Sequence, residues 1–589
     1  MADAASSGAF VAAASGALTW LAPALVPLGA MLLLLPALRR LNRLRLLLPL
    51  AALPALGVAL FAAPGAVDLP WLFLGARFGL DDTGRIFLLF TSALWLTGGV
   101  HALGYLHDDP RRNSFWLFWC AAMAGNLGLV LAQDAASFYV FFALMSFAAY
   151  GLVVHSRTPE ALHAGRVYLA LVVLGELALF AAIALAWQAA GSLNFADIGP
   201  ALAASPWRDA VIALTLVGFG IKVGALPLHV WLPLAHPVAP TPASAVLSGA
   251  MIKAGLLGWL RLLPLGVPGS AALAAPAWGE ALVVLGLVAA FAAALVGATQ
   301  QHAKAALAYS SISQMGFVTV AVGVALAVPA AAPAAVAAAT LYAFHHAFAK
   351  AALFLGVSLG GAATSRTRTL WILGLALPAL ALAGAPLTSG YAAKAALKAA
   401  LPETWAWLGM ALSLAAAGTT LVMLRTIWLL KRDAGNHAAH PPNLAMWAGW
   451  ALLVAASAAG WLVIGETREL LPSTAGGWAA ASWPIVLGVS LALLLSAWRR
   501  RSPSADSLAV PPGDLVVPLL ALARALAGSK QDGHGAAAGH AEHGAEPVAH
   551  ATVPSWPWLG RAESALASGS GLALALLGAA MVVLLIASA

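Results

Sequence analysis

The sequence predicts an all-α polytopic membrane protein with two inverted five-helix repeats and flanking helices. Three observations predict it. Of 589 residues, 62% are hydrophobic and 9% charged, far below the quarter or so charged in soluble domains. Apolar runs of 17–25 residues, each long enough to cross a bilayer core of about 30 Å, recur about sixteen times. Two of them, the seventh and the twelfth, are interrupted by proline and carry a lysine: Pro227 with Lys222, and Pro378 and Pro386 with Lys394. Transporters built from inverted repeats place discontinuous helices of this kind at the membrane midplane.

In chain order the runs lie near 17–37, 46–63, 83–105, 115–132, 137–154, 167–188, 209–230, 243–263, 281–299, 305–326, 335–357, 371–397, 406–429, 445–464, 482–498 and 570–588. Helices 1–3 fill residues 1–110, a first repeat of helices 4–8 fills 111–265, and a second repeat of helices 9–13 fills 279–432. Helices 14 and 15 occupy 441–501, an amphipathic and His-rich linker 502–569, and a last helix 570–589. The start, MADAASSGAF, lacks the basic residues of a signal peptide, so insertion is expected to rely on the first helix.

The net charge of +8 is a topology signal rather than a nucleic-acid signal. Loops after odd-numbered runs hold Arg39, Arg40, Arg43 and Arg45, then Arg111 and Arg112, Arg157 and Arg166, Lys304, Arg366 and Arg368, Lys431 and Arg432, and Arg499 to Arg501; the opposite loops hold little beyond Arg77, Arg208 and Arg468. By the positive-inside rule the odd loops face the cytoplasm and both termini face out, in a bacterial inner membrane. Cys120 is the single cysteine, which excludes disulfide, iron–sulfur and structural zinc sets. There is no Walker-type or dinucleotide glycine pattern, so no cofactor is expected and chemistry on NADH, flavin or ATP belongs to another polypeptide.

Ionisable groups at membrane depth carry the functional argument, because they cost about 2.5–3.5 kcal/mol or more and are kept for ion movement. Lys222 and Lys253 lie near the middle of their runs, too deep for easy snorkelling. An apolar surround disfavours the charged form of a lysine, which lets it load and release a proton. His229 is two turns beyond Lys222 on what a continuous helix would make the same face. His346 and Lys350, four apart, share a helix face and suit either a proton relay or a polar tie between packed helices. Glu176 is a lone carboxylate in the sixth run, either a counter-charge or an interhelical tether. His101 reads as a satisfied or interfacial histidine, Asp81, Asp82 and Arg85 as a solvated helix start, Cys120 as packing, and His534, His540, His543 and His550 as a disordered loop with Trp556 and Trp558 anchoring the last helix.

The run from Lys222 to Lys253, K-x-G-x-x-P-L-H-x-W-L-P-x-A-H-P-x-A-P-x-x-x-S-A-x-x-S-G-x-M-I-K, resembles the antiporter-like, proton-conducting membrane subunits of respiratory complex I. Relatives of that family include the membrane subunits of hydrogenase-4 and formate hydrogenlyase and those of the Mrp-type cation/proton antiporters. Further likeness runs from about Phe115 to Arg425. Gln301 to Gly316 resembles Q-x-D-x-K-R-x-L-A-Y-S-S-I-S-Q-x-G, with Ala303 and Ala305 where the aspartate and arginine stand; Lys304 reads as a cytoplasmic topology residue. His345 to Lys350 resembles T-H-A-x-x-K, and Gly384 to Lys394 resembles G-x-P-x-x-S-G-F-x-x-K, which implies that Lys394 joins the central axis to the outward exit. Arg425 resembles a buried arginine of the thirteenth helix, though its place near Lys431 also permits snorkelling.

One departure bears on mechanism. The family glutamate of the fifth helix is Ala143 here, in Phe141-Phe142-Ala143-Leu144-Met145-Ser146, while Glu176 is gained one helix later. Glu176 is the expected substitute partner of Lys222. The resemblance implies a subunit, without redox chemistry of its own, that moves protons through Lys222, Glu176, His229, Lys253, His346, Lys350, Lys394 and Arg425 within a complex I-like or hydrogenase-like assembly. Its expected partners are other membrane subunits, the bilayer, protons and sodium. A non-redox cation/proton antiporter, an inorganic-carbon uptake subunit and a structural subunit with a dead half-channel are the alternatives.

Overall fold

The computed structural model of the chain describes residues 2–265, 275–360, 365–434, 442–459, 462, 472–501 and 510–513. The helices, in order, are α1 (Ala2–Ala30), α2 (Leu53–Phe61), α3 (Asp82–Tyr105), α4 (Arg112–Leu131), α5 (Ala135–Val153), α6 (Pro159–Ala190), α7 (Phe195–Leu202), α8 (Arg208–Val223), α9 (Trp231–Val238), α10 (Thr241–Val246), α11 (Ile252–Leu262), α12 (Pro276–Thr299), α13 (Ala303–Ala327), α14 (Ala332–Val357), α15 (Ser365–Ala383), α16 (Ser389–Ala399), α17 (Trp407–Asp433), α18 (Leu444–Ala459) and α19 (Ala475–Arg501). A π-turn, Leu247–Met251, joins α10 to α11. The chain is a multi-span membrane protein, and its described residues are helical apart from one hairpin.

Among the described residues, eleven helices are long and apolar enough to cross a membrane. Five of the sixteen expected runs are not among them. The runs at 209–230 and 371–397 are split, 335–357 is one helix that falls short in apolarity, 445–464 is short, and 570–588 lies outside the described residues. The linker histidines, Trp556, Trp558, Arg468 and the side chains of Arg39, Arg40 and Arg366 lie outside them as well.

The hairpin, β1 (Gly65–Leu69) against β2 (Ala76–Leu80), was not expected from the helical reading. It pairs Asp68 with Arg77 across the strands and Phe78 with Ala132 at the end of α4. Asp134 accepts from the backbone N–H groups of Arg77 and Ser137, so one carboxylate caps α5 and fastens the hairpin to it.

Burial separates centre from rim. The membrane window of α13 is 100% buried and that of the α10–α11 unit 94%, against 11% for α19 and 17% for α1. Helices α12 and α13 touch through glycines. A Cβ on Gly286 would meet the Gly316 carbonyl at 2.6 Å, and one on Gly279 the Gly323 carbonyl at 2.5 Å. With little hydrophobic drive between helices in lipid, such close backbone packing supplies much of their association.

Candidate functional site

Two helix breaks set the site. α8 ends at Gly224 (φ +76°) and α15 at Gly384 (φ +87°), both in the left-handed region. In each, the glycine and the next residue turn their N–H groups back, Ala225 to the Gly220 carbonyl at 2.9 Å and Ala385 to the Leu380 carbonyl at 3.0 Å, the double closure of a helix C-terminus. The breaks therefore start at glycines rather than at the prolines expected to make them. Pro227 sits in the turn after α8 already ends, and Pro378 lies inside α15 without interrupting it.

A helix end leaves carbonyls short of intrahelical partners, and here side chains add to what the turn supplies. The Trp231 indole donates to the Ile221 carbonyl at 2.7 Å, and the Lys394 ammonium donates to the Leu382 carbonyl. Because α8 stops early, Lys222 stands in its last turn, where the helix dipole favours a cation. His229 is not on the face of α8 as the continuous helix predicted; it is buried in the turn before α9.

Lys222 is 3% exposed and donates to the Tyr168 hydroxyl at 3.0 Å, which in turn donates to the Ser146 carbonyl at 2.8 Å. The rings of Phe142, Tyr168 and Trp231 surround its ammonium at 5.3–6.0 Å, a cation–π setting. Glu176, 6% exposed, lines the same cavity as Lys222, Tyr168 and Ser146. That cavity is about 10 Å³, the size of one water. The Ser146 hydroxyl is the hydrogen-bonding side chain beside the Glu176 carboxylate.

In the middle of the bundle, the Lys253 ammonium donates to the Ser248 carbonyl and lies 2.6 Å from His346 Nδ1. Ser248 belongs to the π-turn, whose wider spacing frees backbone groups from the α-helical ladder. The Ser248 and Ser311 hydroxyls are 2.8 Å apart, and Ser311 and Lys350 both donate to the Leu307 carbonyl, at 3.1 and 2.7 Å. Lys350 and Lys253 are thus tied together through the Leu307 carbonyl, the Ser311 and Ser248 hydroxyls and the Ser248 carbonyl. Beyond His346, His345 Nδ1 bonds the Ser389 hydroxyl at 2.8 Å, at the start of the helix that carries Lys394.

Three features depart from the sequence reading. Lys304, read as a cytoplasmic topology residue, is enclosed by the bundle. It is 7% exposed and donates to the Ala239 carbonyl at 2.7 Å, because α13 is wholly enclosed. Arg425, also in the expected set, lies apart from this row. It is pinned to the α12–α13 turn through the Gln300 carbonyl and the Gln301 side chain, with its guanidinium 4.5 Å over Trp428. His236 was missed; it is fully buried, stacks on Phe354 at 4.6 Å, and neither ring nitrogen has a hydrogen-bond partner. A single histidine in a short apolar helix carries no signal that separates it from packing. Tyr168 was missed for the same reason.

His101 is a satisfied histidine, held between the Met446 carbonyl at 2.8 Å and the Ser358 hydroxyl at 2.9 Å. Asp81 does more than start a helix. It caps α3 through Gly84 N–H and forms an ion pair with Arg261 at the end of α11.

Residues 132–421 match the family described as NADH:quinone oxidoreductase/Mrp antiporter, TM. Hydrogenase-4 component B of Escherichia coli is 29% identical over 262 residues, 43% of this chain and 38% of that protein. Na(+)/H(+) antiporter subunit A1 of Staphylococcus aureus is 29% identical over 250 residues, 42% of this chain and 30% of that protein. The chain thus spans about a third of the length of these curated relatives. The solved Mrp complex of Dietzia sp. DQ12-45-1b superposes with a TM-score of 0.69 at 25% identity, covering 86% of this chain and 59% of that chain. The matched segment holds both broken helices and every member of the buried row, and over it the chain is similar to the NADH:quinone oxidoreductase/Mrp antiporter transmembrane family.

Proposed function

We propose that this chain is a proton-translocating membrane subunit of a larger complex, conducting through Lys222, Lys253, His346, Lys350 and Lys394, with Glu176 as the counter-charge of Lys222. The observation that carries the reading is the Lys253–His346 contact at the centre of a hydrogen-bonded row of buried groups. Burying several ammonium groups without acids beside each is costly, and no packing need accounts for lysine at all of these positions. The named relatives are parts of a hydrogenase and of a cation/proton antiporter. The driving reaction and the remaining membrane subunits lie on other polypeptides.

His229, at the first break, and Lys304, at the start of α13, extend the row toward its two mouths. The location proposed is a bacterial inner membrane with the basic odd-numbered loops inside. Arg425 enters as a clamp on the α12–α13 turn rather than as a carrier. Shared use of the small cavity favours Glu176 as counter-charge over tether.

The test is proton flux in inverted membrane vesicles at equal expression, with and without sodium, for wild type, Lys222→Ala and Glu176→Gln. Loss of flux in both variants supports the path, and a sodium requirement marks an antiporter. Unchanged flux in both rejects conduction through the first half and leaves a structural subunit.

A further inference from the structure

Between α16, α17 and α19, with Phe317 of α13 and the Gly384 break behind them, lies a cavity of about 280 Å³. Its walls are largely apolar, with Phe317, Leu397, Leu412 and Pro484 among them, and its polar groups include the ammonium ends of Lys394 and Lys398. No carboxylate lines it. Lys394 is anchored on the Leu382 carbonyl and Lys398 on the Ser413 hydroxyl at 2.7 Å, so both cations are fixed in place. Each ammonium keeps unused donors, since it has three N–H bonds.

Depth and chemistry identify the occupant. Trp407 at the start of α17 and Trp478 near the start of α19 are 60% and 39% exposed, the amphipathic ring placement found at headgroup level. The cavity is far larger than a single water and sets an apolar wall beside two ammonium groups, room for a headgroup and the first carbons of a chain. Lysine ammonium groups bind phosphate as point charges. We propose that this cavity binds an anionic phospholipid, its phosphate held by Lys398 and Lys394 and the start of an acyl chain against Phe317, Leu412 and Pro484. The phosphate then supplies Lys394 with the counter-charge that Glu176 offers Lys222 in the first half.

The test uses the full chain, delipidated in detergent, with bound lipid read by native mass spectrometry. Phosphatidylglycerol is compared with phosphatidylcholine of the same acyl chains. Wild type is expected to retain phosphatidylglycerol at least fivefold more strongly. Lys398→Gln is expected to abolish the preference and Lys398→Arg to keep it. Ala480→Phe, made at an exposed position on the cavity wall, is expected to remove retention of both lipids without reaching a buried residue. Equal retention of the two lipids by wild type, or unchanged retention in Lys398→Gln and Ala480→Phe, overturns the proposal. Displacement by equimolar dodecanoate assigns the site to a free carboxylate and also overturns it. The readout is binding, so failure here leaves the conduction proposal untouched, and loss of conduction leaves this one untouched.

Discussion

Lys253 on α11 and His346 on α14 meet nitrogen to nitrogen at 2.6 Å, and both side chains are completely buried. One proton shared between two bases is the simplest unit of a relay, since either can hold it. The contact also ties α14 to the π-turn unit of the first half. Removing the ring leaves Lys253 with the Ser248 carbonyl alone. A hydrogen bond to a charged group is worth about 1.5–3 kcal/mol, so His346→Ala is expected to lower thermal stability in detergent by about 2 kcal/mol and proton flux at least tenfold. Wild-type values of both would mean that the contact neither holds the helices nor passes protons.

The two glycine breaks make a matched pair. Alanine in the left-handed region costs about 1–2 kcal/mol, so Gly224→Ala and Gly384→Ala are both expected to destabilise. Their neighbours differ. The new methyl at 224 would lie 2.2 Å from Leu232 Cδ1, whereas that at 384 would lie 2.9 Å from Lys394 Cδ and 3.2 Å from its Nζ. Flux per folded molecule is therefore expected to fall several-fold in Gly384→Ala and to change little in Gly224→Ala. Equal flux defects in the two would show that the Lys394 position is not what the second break controls.

How far this was legible in the sequence follows from what each signal measures. Apolar run length reports the spans, and the runs for α3, α4, α5, α12 and α13 match the helices within a few residues at most points, apart from an earlier start for α12. Lys222, Lys253, His346, Lys350 and Lys394 stood out because lysine and histidine are rare at that depth. Hydropathy does not report backbone angle, so Gly224 and Gly384 looked ordinary and the prolines were credited with the breaks. Nor does it separate a buried helix start from a loop. Lys304 sits one residue inside α13, and only the packing of that helix reveals that the ammonium points inward to Ala239. The Ser248–Ser311 bridge depends on a π-turn, which has no recognisable composition.

The exchange of Ala143 for Glu176 makes a swap experiment possible. Ala143 is half-buried on α5, three residues before Ser146, and residues three apart share a helix face. Ser146 lines the cavity with Glu176 and Lys222. If the cavity needs one carboxylate and tolerates its arrival from either helix, Glu176→Gln is expected to lose flux and Ala143→Glu with Glu176→Gln to regain at least a third of it. Loss without rescue, in a double variant that expresses and folds like the single one, would restrict the role to the α6 position.

The loops at the opposite end of α4 carry a pH response of definite sign. Asp109 accepts from His155 Nε2 at 2.9 Å and from the Arg111 backbone N–H at 2.7 Å, and Arg111 donates to the Ser156 carbonyl at 3.0 Å, closing the α3–α4 turn on the α5–α6 turn. Burial disfavours the charged ring of His155 and holds its pKa below the usual 6.5, against the attraction of Asp109. Burial also acts to raise the Asp109 pKa, but the hydrogen bonds from His155 and Arg111 outweigh it and the pKa is lowered. A neutral ring donating its Nε2 proton to the carboxylate satisfies both directions. The unfolded chain binds the extra proton more readily on each group. The His155 contribution is therefore present above about pH 6.5 and lost as pH falls through the lower folded value, with Asp109 following below 3.8. Hydrogen exchange at residues 106–111 and 154–158, corrected for intrinsic rate, is expected to quicken between pH 7.5 and 5. His155→Gln, which can donate but cannot titrate, is expected to flatten that response; an equal response in the variant would assign it to other groups.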